Sequence, residues 1–225
     1  MIIVTGASRG LGQAITERLI GRGEEVIGLA RDTSGLKINA IECDVSDYAS
    51  VKNASKEVKR MKKPVKAFIN AAGVASMNMA VTTDETTVQK LIQTNLVGTI
   101  HCCQLFAPIM LRQKQGSFIN FSTIAVALAL KGESVYAASK AGVESFSRTF
   151  AREMADFNVR VNCIAPGPIR TDLLRGITDA QLKKITSQQV IQKQFQKSDV
   201  CDPVELLLDE KATSLSGQVL NVGGV

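Results

Sequence analysis

The sequence predicts an α/β fold: a single doubly wound parallel sheet of about seven strands with helices on both faces. Three observations predict it. Short runs rich in Val and Ile alternate with longer amphipathic stretches from end to end. Several of these runs are continuously apolar rather than alternating, as strands covered on both faces are. A glycine-rich turn, Thr5-Gly6-Ala7-Ser8-Arg9-Gly10-Leu11-Gly12, stands directly between the first strand and the first helical pattern.

Taken in order, the strands are expected at Ile2–Val4, Glu25–Leu29, Asn39–Cys43, Val65–Asn70, Ser117–Phe121, Arg160–Ile164 and Gln218–Val222. Between them, Leu11, Ile15 and Leu19 share one helix face. Ser46 is placed to cap a second helix that stops before Pro64. Thr82 with Glu85 reads as a capping box for a segment running to Arg112, with Pro108 marking a kink. A further helix is expected over Glu133–Asp156 and a short one over Pro203–Lys211. With no repeat and no linker, residues 1–225 read as one domain. The polar, Gln- and Lys-rich stretch at about 173–200 follows the sixth strand, so it would overhang the carboxyl edge of the sheet as a substrate lid.

Composition narrows the function classes. The 225 residues are 45% hydrophobic and 21% charged, which suits a globular core and not a disordered chain. No stretch approaches the roughly 20 apolar residues of a membrane-spanning helix, and no basic region precedes an apolar run at the start. Five cysteines without CxxC spacing and a single histidine argue against a metal cluster or a disulfide framework. The expectation is a reduced cytoplasmic protein with no membrane partner. Lys and Arg exceed Asp and Glu by 27 − 21 = 6, which permits an anionic partner. The densest basic run, Lys52 to Lys63, reads as a solvated helix face. Without Trp and with two Tyr there is little to stack on bases, so nucleic acid is not expected as a partner.

The glycine turn makes a specific physical demand. Gly6 lets the chain leave the strand tightly, Gly10 lets backbone approach a pyrophosphate, and Gly12 permits close helix packing. The helix start offers unpaired N–H groups and the positive end of its dipole. The second strand ends at Arg31-Asp32, with Arg9 in the turn on the same side. Two guanidinium groups suit a doubly charged phosphate, so NADP (NADPH) is favoured over NAD, with Asp32 competing for the ribose.

The sharpest feature is Tyr136-Ala137-Ala138-Ser139-Lys140. Residues four apart share a helix face, so the ammonium stands beside the phenol and would lower its pKa from about 10. Ser122, at the end of the fifth strand, meets the start of that helix at the same rim of the sheet.

The joint set of Thr5–Gly12, Asp44-Val45, Asn70-Ala71-Ala72-Gly73, Asn95, Ser122, Tyr136–Lys140 and Pro166-Gly167-Pro168-Ile169-Arg170-Thr171-Asp172 resembles the short-chain dehydrogenase/reductase family, within it the 3-oxoacyl-acyl-carrier-protein reductase type. The resemblance spans essentially the whole chain and implies a single Rossmann-type domain. It implies Tyr136 as catalytic acid/base and Lys140 as the group that lowers its pKa and holds the nicotinamide ribose. It implies Ser122 as the hydrogen-bond donor to the substrate carbonyl, and Asn95 as the holder of a water joining Lys140 to solvent. Gly6, Ser8, Arg9, Gly10, Leu11, Gly12 and Arg31 would hold the cofactor phosphates. Asp44 and Val45 would meet the adenine, and Asn70, Ala71, Ala72 and Gly73 would line the adenosine. Pro166, Gly167, Ile169 and Thr171 would seat the carboxamide. The implied reaction is hydride transfer from NADPH to a small-molecule or thioester carbonyl, by a homodimer or homotetramer whose interface includes the helices through Asn95 and Lys140.

Two departures bear on the substrate. Gln113 and Phe157 stand where carrier-protein reductases tend to place basic residues, and residues 186–208 lack the family's familiar Pro- and Gly-containing approach to the last helix. A keto-sugar or another alcohol/ketone is therefore an alternative substrate. A non-catalytic NADP-binding regulatory or scaffolding protein is the alternative outside enzymes. His101, Cys102 and Cys103 read as packing residues, and Met77 and Met79 as core filling.

Overall fold

The computed structural model describes residues 1–171 and 178–225. Seven strands form one sheet in the order β3-β2-β1-β4-β5-β6-β7, every pairing parallel. They are β1 (Ile2–Thr5), β2 (Val26–Ala30), β3 (Ala40–Glu42), β4 (Ala67–Asn70), β5 (Gly116–Phe121), β6 (Val159–Pro166) and β7 (Val219–Val222). The expected strands and their apolar continuity are thus found: β1, β2, β4 and β5 are buried at every position. Helices cover both faces, as parallel strands joined by crossovers require.

On one face lie α2 (Tyr48–Arg60), α4 (Gly98–Gln113) and α6 (Ser134–Met154), around Phe68, Phe106, Phe118 and Phe150. Phe68 and Phe106 ring centroids are 4.5 Å apart, and Phe118 and Phe150 meet edge-on at 5.5 Å. On the other face α1 (Gly10–Gly21) and α8 (Lys197–Leu208) pack Ile15, Leu19, Val200, Val204 and Leu207 onto Val4, Ile69 and Ile119. All five cysteines are buried and free. The chain progresses in opposite directions from β1 to β2 and from β1 to β4. That reversal opens a crevice at the carboxyl ends of β1 and β4.

Several local expectations are corrected. Helix α2 is capped by Asp47, whose carboxylate accepts from the Ala49 N–H, while Ser46 donates to Asp44 instead. Helix α3 (Glu85–Leu91) is capped by Asp84, which takes the Thr87 N–H at 2.8 Å, so the Thr82–Glu85 box does not form. A shorter, charged acceptor one residue from the helix wins over a hydroxyl further out. The segment to Gln113 is interrupted at Ile92–Val97 by a π-helical turn around Asn95, upstream of Pro108. Helix α8 begins at Lys197 and carries Pro203 in its interior rather than at its start. Met77 and Met79 are not core: Met79 is half exposed.

Of the expected lid, residues 173–177 lie outside the described residues. The rest comprises α7 (Asp179–Thr186), with Leu182 and Ile185 buried, and a turn leading into α8. Among the described residues, Glu85–Gln113 alone has the length and mean hydropathy, 1.2, of a membrane-crossing helix, and 44% of that stretch is buried. Cys102, Cys103, Phe106 and Met110 place it in the sheet core.

Candidate active site

At the crevice, β1 passes into α1 through the glycine turn. Gly6 and Gly10 have φ of +68° and +64°, a region that disfavours side chains. A Cβ on Gly12 would stand 2.3 Å from the Gly6 carbonyl oxygen, so this glycine lets α1 start against the turn itself. A Cβ at Gly10 would meet nothing within 4 Å. No side chain caps α1, so its first N–H groups face the open crevice. Open space, left-handed backbone and uncapped donors together fit an anionic group such as a pyrophosphate. Ser8 and Arg9 are exposed there and Leu11 is partly buried. The Thr5 hydroxyl accepts from the Ala72 N–H at 3.0 Å and so ties β1 to the segment after β4.

Around the crevice, Asn70 is buried and donates to Asn120 Oδ1 at 2.7 Å, leaving Ala71, Ala72 and Gly73 partly exposed. Asp44 spends its carboxylate on Ser46, and Val45 is buried against Gly98. Arg31 is exposed at the end of β2. Asp32 accepts from both the N–H and the hydroxyl of Ser34, at 2.9 and 2.6 Å, which hold its carboxyl below the usual range. Pro166, Gly167, Pro168 and Ile169 are buried at the carboxyl end of β6, with Thr171 partly buried beyond them.

Deeper in, Tyr136 and Lys140 share one face of α6, as their spacing predicts. Lys140 is 5% exposed and donates to the Phe121 carbonyl at 2.9 Å. Asn95, fully buried, pins both the N–H and the carbonyl of Val74 at 2.9 Å and donates to Ser139 at 3.1 Å. A Cβ on Gly73 would stand 3.2 Å from Asn95 Oδ1 and 3.5 Å from Lys140 Nζ, so these three residues converge.

The electrostatics differ from the expectation. Burial lowers Lys140 to about 8 by stripping hydration from the ammonium, opposed only in part by Cys163. The phenol of Tyr136 is pushed well up, first by burial and then by the charge of Glu133; the Thr123 hydroxyl opposes this by hydrogen bonding.

Ser122 is the principal correction. It is 4% exposed and its hydroxyl donates to Glu144 Oε1 at 2.6 Å. Thr123, one residue on, is the hydroxyl that hydrogen-bonds the phenol. Glu144 itself is buried between Ser122 and Arg148.

The site just described has known relatives. The short chain dehydrogenase profile matches residues 1–182. The chain belongs to the short-chain dehydrogenase family. A 3-oxoacyl-(acyl-carrier-protein) reductase of Staphylococcus epidermidis is 33% identical over 236 residues, which cover 99% of this chain and 96% of the relative. The Salmonella typhimurium protein of the same name is 30% identical, covering 99% and 95%. Aldohexose dehydrogenase of Thermoplasma acidophilum superposes with a TM-score of 0.89 at 28% identity, covering 99% of this chain and 92% of that one.

Within this short-chain dehydrogenase, sequence reasoning missed Thr123, Glu133 and Thr5. Thr123 is a second hydroxyl directly beside Ser122 at the end of β5, and sequence position alone does not separate the two. Glu133 is one helical turn before Tyr136, but its influence depends on burial. Gln113, noted for where it stands, bonds the Val65 N–H and carbonyl at 2.9 and 3.0 Å and braces the start of β4.

Proposed function

We propose that this short-chain dehydrogenase is an NADPH-dependent oxidoreductase that reduces a small-molecule carbonyl, with Tyr136 as proton donor. The observation that carries the reading is the meeting of the Thr123 hydroxyl and the Tyr136 phenol at the carboxyl edge of the sheet, one helical turn from Lys140. Thr123 takes the role the sequence assigned to Ser122: it holds the carbonyl oxygen as negative charge grows there. Burial keeps the Tyr136 phenol protonated at neutral pH, the state a proton donor needs. The hydride comes from C4 of the dihydronicotinamide of bound NADPH. Lys140 orients the ribose beside the phenol, and Asn95 holds Gly73–Val74 and Ser139 around it.

NADPH over NADH is supported at the end of β2. Asp32 already accepts two hydrogen bonds from Ser34, and Arg9 and Arg31 have no acidic partner among the described residues. Residues 173–200 as a lid, and a homodimer or homotetramer built on the outer faces of α4 and α6, belong to the same reading.

The test is NADPH oxidation with short 3-oxoacyl thioesters, diketones and keto-sugars. Turnover is expected on part of this panel, lowered on the order of a hundredfold or more by Tyr136→Phe. NADPH binding without turnover of any substrate would instead make the protein a regulatory or scaffolding module. Arg31→Asp is expected to shift the ratio of rates toward NADH.

A further inference from the structure

Glu133 stands where no structural need places a carboxylate. Its carbonyl accepts from the Ala137 N–H at 2.6 Å, so it already belongs to the first turn of α6. As the N-cap residue of α6, with φ of −118°, it lies about one turn before Tyr136, whose phenol feels its charge. The adjacent Gly132 has φ of +87° and lies against Met77, a Cβ there being 3.5 Å from Met77 Cγ. Glu133 thus sits where the start of α6 meets the Val74–Met79 segment. It is partly buried, yet its side chain caps no N–H of α6 and has no hydrogen-bond or ionic partner among the described residues. Burial alone moves its own pKa, upward, and its charge is felt by the phenol.

A partly buried carboxylate without a donor is destabilising, and such groups are normally satisfied. We propose that Glu133 determines the substrate class by accepting a hydrogen bond from a hydroxyl on the carbon next to the reacting carbonyl, so that the enzyme takes hydroxylated ketones or aldehydes in preference to 3-oxoacyl thioesters. Tyr136 and Thr123 donate to the carbonyl oxygen while Glu133 accepts from its neighbour. A 3-oxoacyl thioester offers no donor at that carbon and leaves the carboxylate unpaired. This inference rests on the carbonyl-reductase reading above.

The experiment compares matched probes, acetoin (3-hydroxybutan-2-one) and butan-2-one, with acetoacetyl thioester as a third. In the wild type, kcat/KM is expected to favour acetoin on the order of ten- to a hundredfold, the worth of a hydrogen bond to a charged group. Glu133→Leu should bring that ratio close to one, and Glu133→Gln, which keeps an accepting oxygen, should retain part of it. Binding gives an independent readout: in Tyr136→Phe loaded with NADPH, acetoin should bind tighter than butan-2-one by a similar factor. Equal use of the two ketones, preference for the thioester, or a ratio unmoved by Glu133→Leu would overturn the inference and leave the reductase reading standing. No turnover of any carbonyl would remove both.

Discussion

Ser122 and Thr123 follow the end of β5 side by side, yet Ser122 donates to Glu144 while Thr123 meets Tyr136, two residues eight apart on the same helix α6. The two hydroxyls therefore answer different experiments. Thr123→Ala removes a donor to the developing oxyanion and is expected to lower kcat/KM on the order of a hundredfold, with Thr123→Ser keeping most of the rate. Ser122→Ala takes a donor from a buried carboxylate and should cost about 1–3 kcal/mol of stability in urea unfolding, with much less effect on turnover. The reverse pattern would return the catalytic role to Ser122. The sheet edge is legible in the sequence at Ser122–Thr123, but which of the two hydroxyls turns to Tyr136 is set by the packing of α6.

Among the elements, α1 shows how little room the phosphate turn leaves. Gly12 packs against the Gly6 carbonyl, so Gly12→Ala must push α1 away from β1. The expected result is a loss of about 1–3 kcal/mol by thermal or urea unfolding, with weaker NADPH binding measured by fluorescence. A variant with unchanged affinity would mean that the turn tolerates the shift. The segment from Glu85 to Gln113 teaches the opposite lesson. Its apolar pattern runs on through the π-turn, so the sequence reads as one helix interrupted only at Pro108. Asn95 departs from that pattern because its amide bonds Val74, 21 residues away in the chain. The caps at Asp47 and Asp84 were misplaced for a related reason: several hydroxyl and carboxylate side chains crowd each helix start, and only folded geometry picks one.

For the molecule as a whole, one continuous sheet with a core on each face makes a single cooperative unit, so a buried charge is felt in global stability. Lys140 carries a folded pKa of about 8 against 10.5 for the free side chain. Below about pH 8 both folded and unfolded chains are protonated and the full burial penalty is present. As pH rises toward about 10.5 the folded state releases its proton first, the unfolded state binds more, and stability is regained. Lys140→Met is therefore expected to be more stable than the wild type near neutral pH, less the hydrogen bond lost to Phe121, and inactive. That advantage should shrink as pH rises through this window. Urea midpoints across the range check it, and a pH-independent difference would contradict the buried-ammonium account.

The sequence by itself determined the parallel sheet, the glycine turn and the Tyr136–Lys140 pair, because each rests on local periodicity: continuous apolar strands, left-handed glycines, a helical spacing of four. Tertiary structure alone decided that Thr123 meets the phenol while Ser122 is taken by Glu144, that burial and the charge of Glu133 raise the phenol's proton affinity, and that Glu133 stands beside it with no partner among the described residues. Those outcomes depend on which face a side chain turns to and how much water it keeps, and both are fixed by segments distant in the chain.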